Sequence, residues 1–345
     1  MLNDSVLNSY SELLLPFFNS AMEQQGSMLY RLLSANKVIM DNTFKFREED
    51  LSKPYWMENS GGDTQYGTIS YDHRLMRAKD IGYSMLEDAY LIGSQGQSES
   101  ATVARHAARM ANKLQLFCED FIINGKNGYG GIAGKVEKYA KNGTSMTSVS
   151  FDENNTIYAG LQDYGVMDAA NDPIYSIRAG LNVGKLNAAE VAIRKNFVNS
   201  PMVVLASPRA MALLRSDERY ANSNYNIQPA AISGQMNPVG SMVYFIESAY
   251  LKDGIQMHKA DGTEAASITG EYAYVFAADQ LLFGQKPVGD NTDWNLSILP
   301  DPSKNHNLSI MFRGSIDVAR KTEKAFFRIE VANKSNTNKF DTLFV

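Results

Sequence analysis

One stretch constrains this chain more than any other. Residues 98–124 place Ala104, Ala107, Ala108, Ala111, Leu114, Cys118, Phe121 and Ile122 at spacings of three and four. That period lays one apolar stripe along a helix. Arg105, Arg109, Lys113 and Glu119 fall largely outside the stripe. Ser98 or Ser100 can cap its start, and Asn124-Gly125 tolerates the left-handed backbone that ends a helix. At 1.5 Å per residue such a helix runs roughly 40 Å. The spacing predicts a structural spine.

The flanks have a different character. Residues 5–40 read as helical, with Pro16 and Gly26 predicted to divide them into two or three short pieces. Phe44-Lys-Phe46 alternates like a strand, Thr68-Ile-Ser-Tyr-Asp starts another, and a long polar segment lies between them. A connection of that length is usually functional or binds a partner. Beyond the spine, Asn187 and Glu190 have capping-box-like spacing ahead of Val191, Ile193 and Phe197. Pro201–Ala206 reads as a buried strand, and Ser207-Pro208 as the cap and first residue of a helix over Arg209–Leu214. Strands are expected at Met242–Ile246, Tyr272–Ala277 and Leu281–Phe283. Leu308–Ala319 and Ala325–Val331 then alternate in the manner of a closing hairpin across Arg320-Lys-Thr-Glu-Lys324. No internal repeat appears.

Composition narrows the function classes. The 345 residues are 44% hydrophobic and 21% charged, a globular balance. With 33 basic and 38 acidic residues interspersed, for a net charge of −5, no concentrated source of phosphate attraction is present. A single cysteine excludes an internal disulfide framework. The opening Met1-Leu-Asn-Asp-Ser-Val has no basic and apolar leader pattern, and runs such as Met202–Ala206 are too short to cross a bilayer. A soluble chain made in a reducing cytoplasm is expected, with no membrane partner.

The search for chemistry returns little. His73, His106, His258 and His306 are scattered, and none has metal-ligand spacing with Cys118 or a second histidine. Cys118 itself lies on the apolar stripe, where a small buried hydrophobe is expected. Gly128, Gly130, Gly131 and Gly134 make a glycine-rich segment. A phosphate loop needs a strand before it and a helix after it, and here the order is reversed. Gly134-Lys135 is followed by Val136, so the magnesium-binding hydroxyl is missing too. Ser34-Ala-Asn-Lys37 matches an acyl-enzyme pattern without its partner motifs. Glu48-Glu-Asp50 and Asp152-Glu153 read as solvated loop charges. No catalytic residue, cofactor or metal site is expected.

Order and spacing carry more. Asp120-Phe-Ile-Ile-Asn-Gly125 runs into Gly130-Gly-Ile-Ala-Gly134. Met202-Val-Val-Leu-Ala-Ser-Pro-Arg-Ala-Met211 is followed by Leu213-Leu214. Pro238-Val-Gly-Ser-Met-Val-Tyr-Phe-Ile-Glu-Ser248, Tyr274–Phe283, and Arg313-Gly-Ser-Ile-Asp317 through Ala325-Phe326 complete the series. In this order the passages resemble the major capsid proteins of tailed double-stranded-DNA bacteriophages, whose Hong Kong 97 fold is shared by encapsulin shells. Three departures stand out: Met242 stands where a proline after Gly240 is usual, residues 137–172 are longer than a minimal link and read as an insertion, and the family's long scaffolding extension ahead of the arm is expected to be absent.

The resemblance implies an α+β, Hong Kong 97-type capsid fold. Its parts would be an N-terminal arm (1–42), an extended β-hairpin loop (43–83), a peripheral domain (84–220 and 305–345) and an axial domain (221–304). It implies a non-enzymatic shell protein assembling as hexamers and pentamers and enclosing DNA without sequence-specific binding. A separate scaffolding protein, a portal and a decoration protein would be its partners. Localisation would be the virion, after synthesis in the cytoplasm of the bacterial host. Subunit-interface residues are expected among Leu13, Leu14, Phe17 and Phe18 of the arm and Phe44, Phe46, Tyr55, Trp56 and Met57 of the loop. An encapsulin-type compartment is the nearest alternative, and an enzyme of unknown type a more distant one.

Overall fold

The computed structural model describes residues 14–22, 26–47, 73–88, 99–139, 146–159, 180–196, 198–215, 242–259, 262–288, 294–300 and 307–332. Helix α1 (14–22) and helix α2 (Met28–Ser34) open the described chain. Strands β1 (Val38–Ile39), β2 (Thr43–Arg47), β3 (His73–Arg77) and β4 (Lys79–Asp88) follow, and then the spine, α3 (Glu99–Asn124). Next come β5 (Val136–Tyr139), β6 (Met146–Val149), β7 (Thr156–Ile157), α4 (Val183–Lys195), β8 (Met202–Ala206) and α5 (Pro208–Arg215). The remainder is β9 (Met242–Glu247), β10 (Ile255–His258), β11 (Glu264–Ala277), β12 (Leu281–Lys286), β13 (Asn295–Pro300), β14 (Asn307–Arg320) and β15 (Phe326–Ala332).

The strands form three sheets. One has the order β1-β12-β14-β13, with β4 on the other side of β14. A second runs β7-β15-β11-β8-β9, with β10 also on β11. The third, β2-β3-β5-β6, is separate from both. The first two sheets share a single long ribbon. β11 pairs antiparallel with β15 as far as Phe276↔Phe326, and β12 pairs antiparallel with β14 from Leu281↔Arg320. Between them the ribbon turns a corner on two short 3₁₀ segments, Ala278–Gln280 and Glu323–Ala325. The Lys321 N–H donates to the Gln280 carbonyl at 2.9 Å across that corner. The expected closing hairpin is therefore not one. Its strands lie in different sheets, β14 pairing with β12, β13 and β4 and β15 with β11 and β7.

The spine behaves as its period predicts. Ala107, Ala111, Leu114, Cys118, Phe121 and Ile122 are buried, and Ala104 and Ala108 are half-buried. Glu119 is an exception to the sequence reading. It is buried, and its carboxylate accepts a hydrogen bond from the Ser248 hydroxyl. Gly125 takes φ +68° at the helix end, where its N–H still donates to the Phe121 carbonyl at 2.8 Å.

The N-terminal helices pack inward. Phe18 stacks on Phe312 with centroids 3.6 Å apart, and Tyr30 meets Phe283 edge-on at 5.7 Å. Full burial of an aromatic side chain of this size contributes about 1.5–3 kcal/mol. Pro16 sits within α1 and does not break it, while the division expected at Gly26 is present. Gly26 has φ +92°, and a Cβ there would lie 1.8 Å from the Gln115 Oε1. Gln115 in turn donates to the Met22 carbonyl at 2.5 Å, tying the arm to the spine.

Elsewhere the local readings fare unevenly. β8 is buried at every position, and Ser207 caps α5 by accepting from the Ala210 N–H at 3.0 Å. The cap of helix α4 lies five residues before the expected one, because the Asn182 side chain accepts from the Lys185 N–H at 3.0 Å. Asn187 is consequently inside the helix, and Val191 points to solvent at 53% exposure. No described helix is long and apolar enough to cross a membrane.

Candidate assembly surface

Alternation sets the two faces of the β2-β3-β5-β6 sheet. Phe44 and Phe46 lie on one face with Met76 and Arg74 opposite them, in the register Phe44↔Met76 and Phe46↔Arg74. The two phenylalanines stack at 6.3 Å and pack, half-buried, on a small cluster of Met40, Met76, Val136 and Ala319. This face turns towards the chain's own ribbon. The opposite face carries Thr43, Lys45, Arg47 and Arg77, all exposed. Tyr139 and Glu137 share it across β3 through the pairs His73↔Tyr139 and Leu75↔Glu137.

Buried charges hold the root of this sheet. Arg74 is 1% exposed, and its Nη1 donates to the Arg320 carbonyl at 2.9 Å and to Glu323 Oε1 at 2.8 Å. The other oxygen of Glu323 accepts from Arg320 Nε at 2.7 Å. Arg320 is completely buried, and its Nη1 reaches the carbonyls of Ile132 and Gly134 in the turn after the spine. Burial pulls the Arg320 guanidinium down from its ordinary range, and the Glu323 carboxylate opposes that pull. One carboxylate thus bridges two guanidiniums. The bridge joins the third sheet, the ribbon corner and the end of the spine.

Asp317 does similar work four residues from the corner. It accepts from the Arg77 N–H at 2.7 Å and from Lys79 Nζ at 2.9 Å. Burial pushes its carboxyl upward, with Lys79 the largest counterweight. Lys79 also donates to the Tyr129 carbonyl at 3.0 Å. A cleft of about 530 Å³ opens here between β3, β5, the glycine turn and β14, with Lys126 and Lys135 exposed at its rim. The glycine-rich segment is a docking point for Arg320 and Lys79, in agreement with the tight-turn reading.

Among the described residues, those expected at an interface do not gather in one place. Leu14 and Phe18 are fully buried in the chain's own core, which is where an apolar helix face with Phe312 and Trp294 beside it belongs. Phe17 is 38% exposed. Leu13, Tyr55, Trp56 and Met57 lie outside the described residues. The sequence reading missed Arg74, Lys79, Asp317, Arg320 and Glu323. Of these, only Asp317 had a signal, through its place in the Arg313–Asp317 passage. Among the described residues no cluster of three His, Cys, Asp or Glu side chains could hold a metal ion. Cys118 is fully buried, and desolvation raises its thiol well above the ordinary range.

No family model and no curated protein sequence matches the chain. Solved structures do. The capsid of Ralstonia phage GP4 superposes with a TM-score of 0.53 at 11% identity, covering 86% of this chain and 85% of that one. The chain has the Hong Kong 97-type capsid fold. Other matches are Mycobacterium phage Adephagia, with a TM-score of 0.49, 11% identity and coverage of 88% and 90%. The holo-SrpI encapsulin complex from Synechococcus elongatus PCC 7942 gives 0.46, 10% identity and coverage of 77% and 78%. Within the Hong Kong 97-type fold, the long helix and the ribbon form the body, and the third sheet stands on it through the Arg74–Glu323–Arg320 bridge.

Proposed function

We propose that this chain is a structural subunit that self-assembles into the icosahedral head shell of a tailed bacteriophage and encloses its double-stranded DNA. The observation that carries the reading is the capsid fold, matched over more than four-fifths of the chain. A shell subunit works through faces and edges, and the third sheet, with one face on the body and the other outward, supplies such a face. In this reading 1–42 is the arm, 43–83 the extended loop, 84–220 and 305–345 the peripheral domain, and 221–304 the axial domain. Subunits associate as hexamers and pentamers, with a separate scaffold, a portal and a decoration protein as partners. The product resides in the virion after synthesis in the host cytoplasm, and no catalysis is required of it.

The test is to express the full chain, alone and with its genomic neighbours, and follow it by sedimentation and electron microscopy. Capsomers or large closed particles containing DNA are expected. A small stable oligomer under every condition sinks the reading, and particles filled with protein cargo replace it with an encapsulin-type compartment. Deleting residues 50–66 should leave a folded, soluble subunit that no longer closes shells. Outright unfolding of that variant would assign the segment to the core.

A further inference from the structure

Cations are interspersed along the sequence, but folding the spine gathers some of them. Arg105, Arg109 and Lys113 stand at intervals of four, so they fall on one ridge of α3, about 6 Å apart and about 12 Å from first to last. All three are exposed, and none makes a hydrogen bond or ion pair with a described residue. Asn112 is exposed beside Lys113. Carboxylates are kept off the ridge. Among the described side chains of α3 they are Glu119, buried against the Ser248 hydroxyl, and Asp120, half-buried beyond the end of the row and held by Asn124 at 2.7 Å. Like charges at this spacing repel along a helix, and no residue three or four positions away supplies the opposite sign.

From this row we infer that the exposed ridge of α3 binds the phosphate backbone of duplex DNA without reading its sequence. The inference rests on the shell reading for the identity of the polyanion, and it names the contact that the shell makes with it. Three observations favour a phosphate backbone over an acidic protein surface. The row is evenly spaced along a straight helix, and a duplex presents one negative charge per about 1.7 Å of its axis, so the two meet along the whole row. The side chains offered are arginine, lysine and asparagine, the donors that contact phosphates, whereas the core of a protein interface is depleted in charge and rich in aromatics. Phe117, the one large apolar side chain exposed on this helix among the described residues, lies past the end of the row. The outward face of the third sheet is a poorer phosphate site, because Arg77 Nε is held there by Glu137 at 2.5 Å. In a chain of net charge −5, attraction to a polyanion is then local to the ridge.

The experiment titrates the full chain onto a duplex of about 30 base pairs by fluorescence anisotropy, from about 50 to about 200 mM salt. Three phosphate contacts predict a slope of log affinity against log salt of about −2.7, a loss of about fortyfold across that range. Arg105→Gln, Arg109→Gln and Lys113→Gln should each make the slope shallower by about 0.9, and the triple variant should bring it close to zero. Glutamine is a good helix former, and circular dichroism establishes folding. Arg105→Lys/Arg109→Lys keeps the charge and should keep the wild-type slope, which a merely structural role of the arginines would not predict. Lys45→Gln/Arg47→Gln, on the third sheet, is the control and should leave the slope unchanged. A folded triple variant with the wild-type slope overturns the inference, as does a wild-type chain that binds no duplex at the lowest salt. A control that loses as much slope as the triple variant overturns it too, since the attraction is then diffuse. A triple variant that binds duplex normally but no longer assembles assigns the row to a protein contact instead. A wild-type chain that shows the slope but forms no capsomer or shell sinks the shell reading and leaves the phosphate contact standing.

Discussion

The ribbon corner and the outward face of the third sheet are built from the same side chains and use them in opposite ways. At the corner, Arg74 and Arg320 are almost free of solvent, and every contact of Glu323 with them is 2.7–2.8 Å. On the face, Lys45, Arg47 and Arg77 stand in water. Removing a guanidinium from water costs several kcal/mol, which is recovered only if its partners are fixed. An exposed charge has no such debt, and a pair such as that of half-exposed Arg77 with Glu137 adds little to stability. A buried cation therefore fixes where an element sits, and an exposed one leaves that position largely to other contacts.

The contrast can be broken at several points. Glu323→Ala leaves two buried guanidiniums facing each other and should cost about 3–5 kcal/mol, read as a lower denaturation midpoint at unchanged slope. A loss below about 1 kcal/mol would mean that water already reaches the corner. Lys185 is an intermediate case. Its ammonium donates to the Glu330 carbonyl at 3.1 Å, and burial pulls its pKa down to about 7 despite the Glu330 carboxylate. The folded state then binds fewer protons than the unfolded state between about pH 7 and pH 10, so stability should rise with pH across that window. Lys185→Met should gain about 1–2 kcal/mol near pH 6 and almost nothing near pH 10, and a flat difference between the two would refute the burial of its charge. Arg77→Ala sits at the smallest end. The Arg77 side chain is 49% exposed, so losing its pair with Glu137 should change stability by under about 1 kcal/mol. A larger loss would place the outward face in the same class as the corner.

The elements that the sequence reveals are those whose period is local. Leu114, Cys118 and Phe121 repeat on one helix face, and Met202–Ala206 is apolar without a break, so each declares itself within a few residues. The corner does not. Arg320-Lys-Thr-Glu-Lys324 looks like a wet turn, and what buries Arg320 is a carbonyl at Gly134 and a carboxylate held by Arg74, which is 249 residues from Glu323. Alternation in 308–319 and 325–331 identifies strands without naming their partners, and hence a hairpin is expected where a ribbon turns between sheets. Val191 shows the same limit on a helix, since its type gives no hint that α4 starts at Val183 and rotates it outward. The candidate surface was least legible. Its apolar residues, Phe44 and Phe46, were the visible signal, and they face the body.

The unbroken passage of one ribbon through two sheets also has a mechanical side. Seven residue pairs join β11 to β15, six join β12 to β14, and ten more join β14 to β4. A pull along these strands loads each ladder in shear, so many hydrogen bonds resist at once, whereas a pull across them would open the bonds one after another like a zip. The joint is a lap joint with its grain along the ribbon. Arg320 pins that joint at its bend, where a plain overlap of strands would first begin to slide.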